Sequence, residues 1–253
     1  MTGQQNVRKQ LTHYNLYIYI MYFYIIKNLR LIVGWNPKVA CTTVKTLLLR
    51  KLGHKVKGNV HHDMLSIDNL ICGKYDIFWY IPKIINVDLN SYTKICFVRN
   101  PYERLISGIR QTSGLLCNYK KFGDLSENTI NMFLQNLKKY NYIEHHFIPQ
   151  VKNINDFKFD HVIDIKDMSK LYSILEFEHK IEKIGGHSTK YNDYYHDDKY
   201  YNLTLKDISI RSDNEWSGNI YSWFTKNDIK LINELYKDDF IFAKKNGYDY
   251  EIN

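Results

Sequence analysis

The sequence PKVACTTVK occupies residues 37–45, and the sequence FVRNPYERLIS occupies residues 97–107. Each stretch follows an apolar run typical of a buried strand, residues 29–35 and residues 94–98, and each opens a segment with the apolar spacing of a helix. Loops between a parallel strand and the next helix lie at the carboxyl edge of a sheet, where open α/β folds bind ligands. We therefore expect the two stretches to lie side by side at one edge of a parallel sheet.

Capping signals predict where the helices after these strands begin and end. The first helix is predicted over residues 43–52, with Gly53 as its stop signal. The second helix has Asn100 as its N-cap, Pro101 at its first position and Glu103 where the carboxylate can bond back to the cap.

The rest of the chain continues the alternation of strands and helices. A third buried strand is predicted over residues 159–165. Further helices are predicted over residues 126–140 with Ser126 as cap, from an Asp167 cap to residue 180, and over residues 225–243 after a capping box at Thr225. Residues 185–220 have no clear pattern and are expected to be irregular.

An apolar run of 11 residues, Leu16 to Ile26, raises the question of a membrane segment. A spanning helix needs about 20 residues, so no membrane span is predicted. With Lys27 and Asn28 as a tight turn before residues 29–35, the pattern favours a β-hairpin.

The composition fits one globular unit with an anionic partner. The chain has 253 residues, 44% of them hydrophobic, and no linker rich in Pro, Ser or Gly. We expect a single domain, residues 1–253, made of an N-terminal hairpin or extension (1–28), a nucleotide-binding core (29–180) and an irregular segment with a C-terminal helix (181–253). The 35 Lys and Arg against 27 Asp and Glu give a net charge of +8, which suits nucleic acid, a phosphate-bearing cofactor or an acidic polysaccharide.

Aromatic and cysteine spacing narrows these classes. The 22 tyrosines are spread along the chain and do not alternate with basic residues, so no nucleic-acid partner is expected. The four cysteines form no C-x-x-C pair, and no metal site is predicted. Free thiols favour a soluble protein in a reducing compartment, such as the cytoplasm, over one anchored in an oxidising compartment such as the Golgi.

The loop over residues 36–43 combines the features of an anion site. A helix N-terminus offers unpaired N–H groups and partial positive charge, Lys38 adds a mobile full charge, and Thr42 and Thr43 add hydroxyl donors. This arrangement is P-loop-like in its mechanics, although G-x-x-x-x-G-K-[ST] is absent, which weakens an ATP and Mg²⁺ interpretation. The predicted fold class is therefore α/β, a P-loop-like nucleotide-binding fold with a central parallel sheet flanked by helices on both faces.

The second stretch offers a second anion site. Arg99 ends its strand at the same edge and can bind a phosphate through two N–H groups. Ser107 lies seven residues after Asn100, two helical turns away and on nearly the same face. Two such sites on neighbouring strands suit a nucleotide phosphorylated at both ends.

These residues resemble the Golgi-type carbohydrate sulfotransferases, the chondroitin/dermatan 4-O-sulfotransferase group and its relatives. PKVACTTVK is similar to the family's 5′-phosphosulfate loop, and SYTKICFVRNPYERLISGIR (residues 91–110) to its 3′-phosphate strand and helix. HFIPQ (residues 146–150) is similar to a third element of the family. The resemblance covers residues 29–248.

The resemblance implies sulfuryl transfer from 3′-phosphoadenosine 5′-phosphosulfate (PAPS) to an acceptor hydroxyl, usually on a sugar, without a metal. It gives the 3′-phosphate to Arg99 and Ser107, and places Ser188 and Lys190 over the nucleotide. Lys38 would neutralise the charge on the leaving oxygen. The 5′-phosphosulfate cradle would consist of Pro37, Lys38, Val39, Ala40, Cys41, Thr42 and Thr43.

Histidine suits the base that activates the acceptor hydroxyl. His62 is a candidate because related enzymes often place a catalytic residue between the first helix and the second strand, and His146 because it lies in the third matched element. The sequence does not choose between them. A P-loop-like kinase and a nucleotide-binding pseudoenzyme without turnover also remain open, and residues 111–145 and 185–220 are the expected acceptor-binding segments.

Overall fold

The computed structural model describes residues 21–56, 60–65, 70–74, 88–117, 124–142, 144–152, 154, 157–177, 199–211, 216 and 218–252. Its strands are β1 (Tyr22–Ile26), β2 (Leu31–Trp35), β3 (Leu70–Lys74), β4 (Thr93–Val98) and β5 (His161–Asp164). Its helices are α1 (Cys41–Lys51), α2 (Val60–Leu65), α3 (Pro101–Leu116), α4 (Ile130–Lys139), α5 (Ser169–Ile174), α6 (Leu205–Ile210), α7 (Ile220–Trp223), α8 (Lys226–Leu235) and α9 (Lys237–Lys245).

The strands form one sheet in the order β3-β1-β2-β4-β5. β2, β4 and β5 are parallel, whereas β1 is antiparallel to both of its neighbours. The α/β class and the mostly parallel sheet are thus confirmed. The predicted hairpin is present as β1 and β2, paired from Tyr22 with Trp35 to Ile26 with Leu31; its proposed residues 16–20 lie outside the described part.

Both faces of the sheet are covered. On one face, Val33 and Phe97 pack against Leu47 and Leu48 of α1 and Leu171 of α5. On the other face, the core comprises Ile25, Ile32, Cys96, Val151 and Ile154, with Phe242 of α9 packed against it. Helices therefore flank the sheet on both sides, as the strand pattern predicted.

A further hydrophobic core, in addition to the two on the faces of the sheet, lies among the helices around α3. It joins Ile109 of α3 to Phe133 of α4, Leu205 of α6, Trp223 of α7 and Ile232 of α8. Because α3 belongs to this core along its length, the start of α3 is fixed relative to the sheet edge. No helix in the described residues is long and apolar enough to cross a membrane.

Several predicted helix boundaries are wrong. α4 begins at Ile130 behind Thr129, whose hydroxyl accepts the Met132 N–H at 3.5 Å, and not behind Ser126. α5 begins at Ser169 and ends at Ile174, and Asp167 bonds to the Ser169 hydroxyl instead of capping the helix.

The C-terminal part also departs from the prediction in places. The capping box at Thr225 is present with Asp228, but the single long helix is interrupted at Tyr236. The segment expected to be irregular contains α6, which opens with a capping box of Thr204 and Asp207.

Candidate active site

The loop between β2 and α1 has an unusual backbone at the start of the helix. Lys38 and Ala40 both adopt left-handed backbone conformations, with φ of 69° and 54°. Left-handed residues in a turn of this kind can bring successive N–H groups together into an anion-binding hollow. Ala40 sits at the N-cap of α1 without a side-chain cap, so a bound anion can take the place of a capping oxygen.

Arg99 brings the second turn against this loop. β2 and β4 are parallel, with Gly34 opposite Cys96, and both end at the same edge of the sheet. Arg99, 8% exposed, donates from Nη1 to the carbonyl oxygen of Lys38 at 3.1 Å. The two stretches predicted to bind the two ends of a nucleotide therefore meet.

Ser107 faces the same region from α3. Asn100 caps this helix by accepting the Tyr102 N–H at 2.9 Å. Lys38 donates from Nζ to Oε1 of Gln111 at 2.7 Å. Gln111 lies one turn beyond Ser107, so this bond places the ammonium against the face of α3 that carries the buried Ser107.

Glu103 has a different partner from the one predicted. Its carboxylate contacts Lys166 Nζ at 2.6 Å and Arg99 Nε at 3.8 Å, instead of bonding back to the N-cap. Among the described residues, Arg99 Nε has no hydrogen-bond acceptor. Glu103 therefore orients the guanidinium electrostatically without a hydrogen bond to Nε.

Gln150 ties the two turns together. Its side chain accepts the Arg99 N–H at 2.9 Å and donates to the Arg99 carbonyl oxygen at 2.9 Å. Its own carbonyl oxygen accepts from Asn36 Nδ2 at 2.7 Å, at the start of the loop. On its far side, the Gln150 amide bonds to Asp239 at 3.3 Å, and burial raises the pKa of this carboxyl.

Arg104 clamps the element at residues 146–150 onto α3. Arg104 is a buried cation, only 1% exposed. It donates from Nη1 to the His146 carbonyl oxygen at 3.0 Å and from Nη2 to that of Ile148. Phe147 packs directly on Gly108, where an added Cβ would come within 2.8 Å of the ring.

His146 belongs to a cluster with Glu144 and His145. One Glu144 oxygen contacts Nδ1 of His146 at 2.6 Å and accepts its backbone N–H at 2.9 Å, and the other contacts Nδ1 of His145. Burial acts to raise the pKa of Glu144, but the hydrogen bonds from both histidines outweigh it and lower that pKa to about 2. The three groups lie within 4.8 Å of one another, and both Nδ1 atoms bond to the carboxylate.

The structure describes some of the other predicted site residues fully and others only in part or not at all. Pro37 and Val39 are buried, and Thr42 and Thr43 lie half-buried in the first turn of α1. The backbone of His62 lies in α2, and its side chain is outside the described part. The predicted residues Ser188 and Lys190 also fall outside the described residues.

Five organising residues were missed by sequence reasoning or given no role. Lys45 is an example: it is 2% exposed, and its ammonium lies 3.9 Å from the Trp35 ring centroid. An indole face stabilises a desolvated cation. The remaining four are Asn36, Gln111, Glu144 and Gln150. Of the five, only Lys45 and Gln150 lie within the sequence motifs quoted above, and the motifs are the one signal that could have drawn attention to them.

A mostly parallel α/β sheet whose strands β2 and β4 end in neighbouring turns at one edge is typical of a nucleotide-binding fold. Residues 21–243 match the family model described as the sulfotransferase family. Because the match spans most of the chain, the protein belongs to the sulfotransferase family and is a sulfuryl-transferring enzyme by that membership. Members generally use PAPS as nucleotide donor and a hydroxyl as acceptor. No curated protein and no solved structure matches the chain significantly.

Proposed function

We propose that this protein transfers the sulfuryl group of PAPS to a hydroxyl of a carbohydrate-type acceptor. The observation that carries the proposal is the contact between Arg99 and the backbone of Lys38, which joins the two turns. In this assignment the N–H groups of residues 39–43 bind the 5′-phosphosulfate. Arg99 and Ser107 bind the 3′-phosphate, which is the feature that distinguishes this donor from ATP.

Lys38 is assigned to the leaving group. As the acceptor oxygen bonds to sulfur and the bridging S–O bond breaks, the departing electron pair stays on the 5′-phosphate. The Lys38 ammonium stabilises this charge, and a fixed donor of this kind contributes roughly 3–4 kcal/mol to catalysis. His62 or His146 accepts the hydroxyl proton.

The argument for a sugar-like acceptor comes from the motifs at residues 37–45, 91–110 and 146–150. These three motifs resemble the carbohydrate-specific branch of the family. A kinase using ATP and Mg²⁺ is disfavoured because the loop lacks the Gly-Lys-Ser/Thr sequence that holds the metal and the nucleotide phosphates. A pseudoenzyme with the same nucleotide site is distinguished by turnover alone.

The test combines calorimetric binding of 3′,5′-bisphosphoadenosine with turnover of labelled PAPS on a panel of glycans, lipids and phenols. Arg99→Ala should weaken nucleotide binding by about 10- to 100-fold, the range for losing charged hydrogen bonds. Lys38→Ala should change binding less than about fivefold but lower kcat by about 10²- to 10³-fold, because its interaction develops in the transition state.

Lys230→Ala removes an exposed lysine of α8 and serves as the matched control; both measurements should stay at the wild-type level. Unchanged nucleotide affinity in Arg99→Ala would contradict the site assignment. Binding of ATP with Mg²⁺ in preference to the bisphosphate would favour a kinase, and binding without turnover on any acceptor would favour a pseudoenzyme.

A further inference from the structure

A buried carboxylate of α9 lies behind the turn that carries Arg99. Asp239 is 2% exposed. Its Oδ1 atom accepts the Val151 N–H at 3.0 Å, and its Oδ2 atom accepts from Nε2 of Gln150 at 3.3 Å. Gln150 in turn bonds to both backbone polar groups of Arg99 at 2.9 Å. A single residue therefore separates the carboxylate from the arginine assigned to the 3′-phosphate.

The orientation of the Gln150 amide determines how well Arg99 is held. In the structure, Oε1 accepts the Arg99 N–H and Nε2 donates to the Arg99 carbonyl oxygen. An amide turned by 180° would bring two donors together at one contact and two acceptors at the other. Because a carboxylate only accepts hydrogen bonds, Asp239 attracts the NH₂ end of the Gln150 side chain. Asp239 thereby stabilises the orientation that holds Arg99.

The helix that carries the carboxylate is itself fixed on both sides of Asp239. Three residues earlier, the Tyr236 hydroxyl donates to the carbonyl oxygen of Phe147 at 2.6 Å. The next residue, Phe240, is buried in the core around α3. The start of α9 is therefore docked on the HFIPQ element at two points, and Asp239 has a defined position.

The groups around Asp239 suit its ionised form. Burial raises the pKa of this carboxyl, whereas the charge of Arg104 and the hydrogen bonds from Gln150 and Val151 act to lower it. Both of the groups that bond to its oxygens are N–H donors. A protonated carboxyl would turn one of its two accepting oxygens into a donor.

We propose that Asp239 is a positioning residue that maintains the selectivity of the site for a nucleotide with a 3′-phosphate. It acts through Gln150, which holds the backbone from which the Arg99 guanidinium reaches the Lys38 carbonyl oxygen at 3.1 Å. A binding group keeps its geometry when the residues behind it are themselves held by hydrogen bonds. This inference rests on the function proposed above and adds a residue of α9 to the donor site.

Two other aspartates provide matched controls. Asp228 of α8 is also buried, and its oxygens accept from the Asn131 side chain at 2.6 Å and from the Thr225 N–H at 2.9 Å. Asp238 precedes Asp239 in α9 and is exposed. Asp228→Asn reproduces the loss of a buried, hydrogen-bonded carboxylate, and Asp238→Asn reproduces the loss of one negative charge from the same helix.

Calorimetry measures the affinity of each variant for 3′,5′-bisphosphoadenosine and for adenosine 5′-monophosphate. An amide has one accepting oxygen, so the side chain in Asp239→Asn cannot accept from both Val151 and Gln150. Its affinity for the bisphosphate should fall by about 3- to 10-fold, the range for one lost hydrogen bond, while its affinity for the 5′-monophosphate should stay within about twofold. Asp228→Asn and Asp238→Asn should keep the wild-type ratio of the two affinities.

Kinetics with the best acceptor from the screen add a readout that a merely structural role would not move. In Asp239→Asn, the KM for PAPS should rise by the same factor, and kcat at saturating PAPS should stay within about threefold of wild type. In the Gln150→Leu background, Asp239→Asn should add little to the loss of selectivity, since residues that act as a unit are not additive.

NMR of the wild type supplies a measurement that does not depend on a variant folding. The Gln150 side-chain amide and the Val151 backbone amide are the two groups bonded to Asp239. Both should exchange slowly with water. Both should shift when the bisphosphate binds and shift far less when the 5′-monophosphate binds. If Asp239→Asn does not fold, this comparison decides the question.

Three results would overturn the inference: an unchanged ratio of affinities in Asp239→Asn, an equal loss of the ratio in Asp228→Asn, or amides of Gln150 and Val151 that do not respond to the bisphosphate. Each of these leaves the proposed function standing. A wild type that binds the bisphosphate and the 5′-monophosphate equally contradicts the proposed function itself, because the 3′-phosphate would then not reach Arg99.

Discussion

Gln150 shows how one buried side chain organises two separate turns. An amide carries one donor and one acceptor group, which match the N–H and carbonyl of a single backbone residue, and here that residue is Arg99. The sequence singled out Gln150 within HFIPQ, but its partner is 51 positions away. Motif spacing indicates that such a residue matters, whereas only the three-dimensional contact shows what it holds.

The acid sensitivity of Glu144 yields a prediction at the same scale. Its pKa is about 2 in the folded chain against an ordinary value of 4.5. A carboxyl whose pKa is lowered by folding stabilises the protein above its ordinary value, and that contribution is lost as the pH falls from about 4.5 toward 2. One pKa unit corresponds to about 1.4 kcal/mol, which we discount for solvent screening to about 1 kcal/mol at pH 3.

Urea unfolding at pH 6 and pH 3 measures this effect. Between the two pH values, the wild type should lose about 1 kcal/mol more unfolding free energy than Glu144→Gln. Glu127→Gln removes an exposed carboxyl and should follow the wild type. Equal losses in the wild type and Glu144→Gln would show that the hydrogen bonds to Glu144 do not persist in solution.

At the scale of elements, α3 and α4 show how local and long-range contacts each determine where a helix begins. Its start at Pro101 behind Asn100 was predicted from capping residues alone, because those contacts span only two residues. α4 shows the opposite case. Ser126 accepts from the Lys206 N–H through its carbonyl, and Thr129 bridges Thr204, so pairing with a distant segment moves the helix start from the first available cap to the second.

Two glycines of α3 give a matched pair of substitutions. Replacing glycine by alanine within a helix normally stabilises it by up to about 1 kcal/mol. At Gly114 the added Cβ meets only Ser209 at 4.0 Å, and Gly114→Ala should show this gain. At Gly108 it meets Phe147 at 2.8 Å, and such overpacking costs about 1–3 kcal/mol.

Chemical denaturation should therefore find Gly108→Ala less stable than the wild type and Gly114→Ala more stable. Because Phe147 belongs to the element whose Gln150 bonds to Arg99, Gly108→Ala should also weaken bisphosphate binding, whereas Gly114→Ala should not. Equal stability of the two variants would mean that the element at residues 146–150 moves freely away from α3.

At the scale of the whole molecule, the sequence predicted the class of fold better than the arrangement of the sheet. The hairpin and the strands before the two turns are encoded by apolar runs a few residues long. No short run of residues encodes the position of β3 beside β1, because the two strands pair across more than 40 residues of chain. The hydrogen bond from the Tyr250 hydroxyl to Asp164 of β5 likewise joins two segments that are far apart in the sequence.

Because the two turns contact each other, a ligand that binds to both turns should stabilise the whole fold. A ligand that binds only the folded state at 100 times its Kd adds about 2.7 kcal/mol, which for a chain of this size raises Tm by about 5–10 °C. 3′,5′-Bisphosphoadenosine should produce this shift, and at equal concentration adenosine 5′-monophosphate should produce clearly less, since it leaves Arg99 and Ser107 unused.

Differential scanning fluorimetry of the wild type and Arg99→Ala tests this dependence. In Arg99→Ala, the bisphosphate should lose most of its advantage over the 5′-monophosphate, while Lys230→Ala should retain it. If both nucleotides raise the Tm of the wild type equally, the 3′-phosphate does not reach Arg99. The two turns would then meet in the fold without jointly binding one nucleotide.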